Sequence, residues 1–141
     1  MSEMIWRKLK ELKLPTPQDA AWTPALDYVI PKRSYRFTVK ATANSWKLDG
    51  MTTDCTVDGT DLSASRSMEP ICSGVPFGAL IGKVGGSTAD HAGTIFGIGR
   101  YCVYQITDEA KAGPLYLGVN DLWVLMSKVS GQIEVEIEIA L

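Results

Sequence analysis

The 141-residue sequence predicts an all-β protein, an antiparallel β-sandwich of jelly-roll or immunoglobulin-like type. Three observations carry that prediction. The stretch "GQIEVEIEI" alternates strictly, with Ile133, Val135, Ile137 and Ile139 on one side and Glu134, Glu136 and Glu138 on the other. The stretch "SYRFTV" alternates in the same way. Thirteen glycines and seven prolines are spread along the whole chain, which cuts it into seven to nine short segments rather than long helices.

The first segment, "IWRKLKELKL", fits two periods. Trp6, Leu9, Leu12 and Leu14 give partial helical spacing, while Trp6 to Leu12 also alternates as a strand. Pro15 and Pro17 end it in either case. "ALDYVIP" and "SYRFTVKATA" read as strands around a turn at Pro31–Ser34. The second turns Tyr35, Phe37, Val39 and Ala41 inward. Residues 44–75 are loop-rich, with turn signals at Asp49-Gly50 and Asp58-Gly59. A stretch of that length without clear elements marks a functional or crossing loop. "FGALIGKVGG" is an apolar strand whose glycines allow close backbone approach. "TIFGIGRYCVYQIT" is one or two strands with a break at Gly97–Gly99. "GPLYLGVND" is a strand, and "GQIEVEIEI" is the clearest of all; its row of glutamates discourages pairing with like chains. Residues 1–141 read as a single domain, with 1–20 as an N-terminal extension, strand or short helix.

Hydrophobic residues make up 45% and charged residues 21%, the balance of a globular chain. The net charge is -2 and no basic stripe is interleaved with aromatics, which excludes nucleic acid as the main partner. No apolar run approaches the ~20 residues of a membrane span. The N-terminal "MSEMIWRKLKELKLP" is charged throughout and has no apolar signal core. The expectation is a cytoplasmic protein or one exported by a non-classical route, with the compartment left open. Three cysteines, an odd count, argue against a disulfide framework, and their spacing matches no zinc pattern. They read as buried thiols, with a Cys55–Cys72 pair as the alternative because both flank the same loop.

Catalytic signals are sparse. His91 is the single histidine, which rules out a multi-histidine metal centre and reads as a polar turn residue in "GGSTADHAG". There is no nucleophile elbow and no phosphate-binding glycine pattern. Asp49, Asp54, Asp58 and Asp61 form an acidic cluster, but the ligand order of a calcium-binding EF-hand loop is missing, so they read as turn and strand-end residues. No nucleophile, base and orienting group come together, and the chain is predicted not to be an enzyme.

"PFGALIGKVGGS", "GPLYLGVND" and "SGQIEVEIEI", in that order and spacing, resemble three strands of the PA-IL-like galactose-binding lectins of bacteria. "AWTPALDYVIPKRSYRFTVKATANSW" fits the opening strands of that family more loosely, so the resemblance covers Trp22 to Ile139. It implies a jelly-roll, galactose-binding-domain-like sandwich with calcium held by loop oxygens at one end. The sugar's vicinal hydroxyls complete the shell of that hard cation. Asp121, directly after Asn120, falls on the family's loop aspartate. The remaining side-chain ligand positions fall on Leu125, Lys128 and Val129, and a backbone carbonyl ligand falls near Trp46. The sugar-contacting His and Gln positions fall near Ser65 and Met68. Three of four side-chain ligands are thus replaced. Lys128 also adds a positive charge where, at ~4 Å, repulsion of a divalent ion costs several kcal/mol.

The resemblance therefore implies a non-catalytic carbohydrate-binding sandwich whose calcium and galactose site is altered and degraded. Asn120, Asp121, Trp46 and Trp123 are its candidate carbohydrate-binding residues. Asp121 is the one remaining metal ligand, calcium is the one cofactor the family suggests, and Lys128 is the expected charge partner of Asp121. The alternative is an assembly module that kept the fold and lost the sugar. It would form a homo-oligomer or bind a protein through Leu122, Trp123, Val124, Leu125 and Met126. That apolar run is either an exposed patch or an additional strand.

Overall fold

The computed structural model describes residues 4–14, 21–62, 66 and 68–141. Among these, eleven strands form three antiparallel sheets. The first sheet is built on β11 (Ile133–Ala140), with β1 (Trp6–Leu14) on one side, β3 (Ser34–Val39) on the other, and β8 (Tyr101–Gln105) beyond β3. The second has the order β2 (Thr23–Leu26), β9 (Leu115–Val119), β6 (Leu80–Val84), β7 (Thr94–Gly97). A small third sheet pairs β4 (Ser45–Lys47) with β10 (Ser130–Gly131) and β5 (Cys55–Thr56).

The ambiguous first segment is a strand. Its register against β11 sets Lys8 opposite Glu138 and Lys13 opposite Glu134, two opposite-charge pairs that flank Glu11 opposite Glu136. An isolated helix would leave β11 with an open edge and without the Lys13–Glu134 pair. Pro15 and Pro17 lie outside the described residues.

β2 begins earlier than "ALDYVIP" suggests and ends at Leu26. The next backbone donors bond elsewhere: Val29 N–H donates to the Gly113 carbonyl at 2.8 Å and Ile30 N–H to the Tyr35 hydroxyl at 2.8 Å. Pro24 is tolerated because β2 is an edge strand. β3 stops at Val39, where a turn closed by Ala43 N–H on the Lys40 carbonyl leaves Ala41 exposed. The break at Gly97–Gly99 separates two strands that join different sheets, β7 the second and β8 the first.

The inward residues of both large sheets join one hydrophobic core, including Tyr35, Phe37, Ile137, Leu80 and Leu117. Phe37 and Phe96 bridge the sheets at 6.0 Å between ring centroids. Each fully buried aliphatic side chain contributes roughly 1.5–3 kcal/mol. β6 is buried at all five positions, Lys83 included, whose ammonium is enclosed by Trp22, Tyr116 and the carbonyls of Ser87 and Asp90. That is why "LIGKV" reads as a continuous run rather than an alternation. The apolar run 122–126 is not a strand: Trp123–Lys128 form a 3-10 helix, one of two short helices among the described residues. No described helix is long and apolar enough to cross a membrane.

Candidate functional site

β9 delivers Asn120 and Asp121 to the end of the second sheet, and both are completely buried. Their backbone is pinned on both sides. Asn120 N–H donates to the Ala79 carbonyl, the Asn120 carbonyl accepts from Gly78 N–H at 2.7 Å, and the Asp121 carbonyl accepts from Ile71 N–H at 3.0 Å. The Asn120 amide group donates to the carbonyls of Cys72, Val75 and Pro76, while its oxygen accepts from Cys72 N–H at 2.9 Å. Asn120 thereby fixes the 72–76 segment.

The Asp121 carboxylate is met by Arg66. The guanidinium Nε donates to Oδ1 at 2.9 Å and Nη2 to Oδ2 at 3.0 Å, a two-point fork. Nη2 also donates to the Asp49 carbonyl at 2.9 Å. Leu122 N–H adds a third contact to the carboxylate, on Oδ1 at 2.7 Å. The Arg66 side chain is 8% exposed and that of Asp121 0%. Hydrogen bonding to Asp121 raises the pKa of Arg66 despite the opposing effect of burial. One cation therefore ties three separate segments, at Asp49, Arg66 and Asp121.

The expected pairing of Asp121 with Lys128 is corrected by this arrangement. Lys128 is exposed, has no salt bridge among the described residues, and ends the 3-10 helix. The Asp121 carboxylate also does not fit a bound calcium ion here, since both oxygens are committed to a guanidinium and one to an amide. No group of three or more His, Cys, Asp or Glu side chains suited to a metal occurs among the described residues. Within the acidic cluster, Asp58 pairs with Arg100 at 2.7 Å and Asp49 offers its carbonyl to Arg66.

Trp46 is also buried, at 1% exposure, and its indole N–H donates to the Gly78 carbonyl at 2.7 Å. Gly78 therefore joins Trp46 to Asn120 through its carbonyl and its N–H. Its φ of +83° and the Cys55 sulfur, which would lie 2.7 Å from a Cβ, demand glycine there. The structure brings Asn120, Asp121 and Trp46, three of the expected carbohydrate-binding residues, together as a buried cluster whose polar groups bond within the protein. Trp123 is half-buried and packs edge-on against His91, with ring centroids 4.1 Å apart. Within the run 122–126, Leu122, Trp123 and Leu125 are half-buried, Val124 is 68% exposed and Met126 only 1%. Ser65 lies outside the described residues, and Met68 is 70% exposed.

A second polar cluster was not expected. Lys83 is buried on β6, and its ammonium donates to the Ser87 carbonyl at 2.6 Å, the Asp90 carbonyl at 2.5 Å and Asp90 Oδ1 at 3.2 Å. It lies 5.0 Å from the Trp22 ring centre and 5.2 Å from that of Tyr116. Asp90 further accepts from Ser87 and Ala92 N–H groups, and those bonds hold its carboxyl down at about 2. "GGSTADHAG" is thus a loop folded around a lysine. The cysteines are free thiols, Cys55 and Cys72 unbridged, and burial pushes all three pKa values up, away from reactivity.

Arg66 was the residue that sequence reasoning missed. Its signal was its isolation: it is the only lysine or arginine between Lys47 and Lys83, in a stretch with five carboxylates. No protein-family model matches the chain, and no curated protein matches it.

Proposed function

We propose that this chain is a non-catalytic interaction or assembly sandwich of lectin-like, jelly-roll type that has given up calcium-dependent sugar binding. One observation carries the reading: the Asp121 carboxylate is saturated by Arg66 and Leu122 N–H inside the protein. In the family it resembles, the same loop recruits sugar through a calcium ion. Here an internal arginine supplies the positive charge and leaves no open coordination position for a sugar hydroxyl. The half-buried Trp123 and exposed Val124 at the adjacent helix are the apolar groups available to a partner.

The test is a glycan array with and without calcium, beside sedimentation of the wild type and the Trp123→Asp variant. The expected result is no calcium-dependent glycan signal and a change in association for the variant. Calcium-dependent galactose binding at millimolar sugar, or a monomer indifferent to Trp123→Asp, overturns the reading.

A second reading, calcium-independent carbohydrate binding, is favoured by a different observation. A cavity of about 470 Å³ lies over β1, β11 and β3, lined among others by Glu11, Thr38, Lys40 and Glu136. Such hydroxyl, ammonium and carboxylate groups match sugar hydroxyls. A calcium-independent array signal lost in Glu136→Gln would favour it over assembly.

A further inference from the structure

We infer that the open edge of β8 pairs with β8 of a second copy of this chain, antiparallel across a two-fold axis at Val103, so that two four-stranded sheets join into one. That surface is not the Trp123 helix, and the pairing requires neither the presence nor the loss of a sugar site.

The outer strands of the two large sheets are β1, β8, β2 and β7. An open edge presents unpaired N–H and carbonyl groups, and proteins blunt such edges with charge, proline or cover. β1 carries Arg7, Lys8, Lys10, Glu11 and Lys13, and β2 carries Pro24. β7 is half-buried at all four positions. β8 has none of these devices. Its sequence "YCVYQ" holds no charge and no proline, Tyr101 is 57% exposed and Val103 48%, and Gln105 is exposed too. Arg100, the charged residue just before it, is paired with Asp58 at 2.7 Å.

The phase of the ladder shows which backbone groups are free. Val39 N–H donates to the Arg100 carbonyl at 2.9 Å, and the register continues with Thr38 opposite Tyr101 and Phe37 opposite Cys102. Backbone groups of an antiparallel strand alternate between its two sides. Cys102 and Tyr104 therefore direct theirs to β3, while Tyr101, Val103 and Gln105 direct theirs outward. Among the described residues no strand pairs with that side, and no turn or loop bond between backbone groups reaches those three N–H groups.

A copy running antiparallel satisfies all three residues at once when Val103 faces the partner's Val103. Tyr101 then lies opposite the partner's Gln105, and Cys102 opposite the partner's Tyr104. β-Branched and aromatic side chains favour such cross-strand contacts, and no like charges of β8 meet. The cation directly behind the edge, Arg36 opposite Val103, is already held by Glu138 in a two-point fork with both bonds at 2.8 Å. Tyr104 is braced by its stack on Phe96 at 3.7 Å. The strand is its own complement in length, charge and hydrogen-bond phase, which commits the edge to a copy of itself.

Sedimentation of the intact chain between about 1 and 100 µM tests this, beside hydrogen exchange at both ends of that range. Wild type is expected to dimerise within it. Val103→Lys sets two ammonium groups face to face and is expected to weaken the dimer by more than about tenfold. Val103→Thr, neutral and β-branched, is expected to stay within about threefold of wild type. The amides of Tyr101, Val103 and Gln105 are expected to gain protection as the dimer fills, while those of Cys102 and Tyr104 are protected throughout.

A chain that is monomeric at about 100 µM overturns the proposal and leaves the edge to a foreign strand. A dimer equally strong in Val103→Lys, or one without new protection at the three outward amides, overturns it too. If circular dichroism shows Val103→Lys unfolded, Tyr101→Lys, at the more exposed position, takes its place with the same expected dissociation. Association lost in Trp123→Asp but kept in Val103→Lys supports the proposed function and overturns this pairing. Loss in Val103→Lys alone supports the pairing and counts against the Trp123 surface.

Discussion

The side chain of Asn120 donates to three carbonyls and accepts from Cys72 N–H, all within a fully buried setting. Asn120→Ala leaves several of those groups unpaired, and the expected loss is about 3 kcal/mol, read as a lower urea midpoint. Asp90 offers a pH test. Its folded-state pKa is depressed from an ordinary 3.8 to about 2, chiefly by the Ser87 N–H and also by Lys83. A depressed carboxyl stabilises the fold above its unfolded value and loses that contribution as pH falls through the folded one. Wild type should therefore lose stability between about pH 4 and pH 2 more steeply than Asp90→Asn, in paired thermal scans. Lys83→Met should abolish the exchange protection of the Ser87 and Ala92 amides, since Asp90 loses its cationic partner.

Strand β1 shows how an element acquires its type from its neighbour. Its alternation is imperfect, with a register shift between Lys8 and Lys10, yet it pairs along β11 from Trp6 to Leu14. A chain lacking residues 1–14 exposes the β11 edge. Light scattering should show concentration-dependent association of that truncation, and a stable monomer would argue that the glutamates of β11 protect the edge alone. Within β6, Gly82 lies under the Phe96 ring, and an added Cβ would sit 2.5 Å from Phe96 Cζ and 3.1 Å from Ile98 Cδ1. Gly82→Ala should therefore cost about 1–3 kcal/mol by forcing those side chains to shift, measurable by denaturant unfolding. Glycine stands at this one position of β6 because a facing ring fills the space.

For the whole molecule, both large sheets draw on one core, and β1 and β11 bring the two chain ends into the same sheet. That argues for a single cooperative transition. Tryptophan fluorescence and circular dichroism should report coincident unfolding curves. An earlier fluorescence change would show that the small sheet around Trp46 opens on its own. Pairings of such long sequence separation also predict refolding in milliseconds to seconds rather than microseconds.

What the sequence determined by itself was local. The alternation of β3 and β11 fixed their type and inward faces, because side-chain direction in a strand follows from backbone geometry two residues at a time. The glycine breaks separated β7 from β8, and the Asn120-Asp121 pair was legible as the end of a strand. What only the tertiary structure decided depended on distant partners. The first segment became a strand because β11 had an edge to pair and Lys8 and Lys13 fall opposite two of its glutamates. Asp121 found Arg66, 55 positions away, rather than Lys128 nearby. Lys128 lies on the solvent side of a 3-10 turn, and a buried carboxylate takes the cation that the fold brings into the interior beside it. Sequence patterns record which way a side chain points, whereas the charge that meets it across the interior is set by how the sheets and loops close.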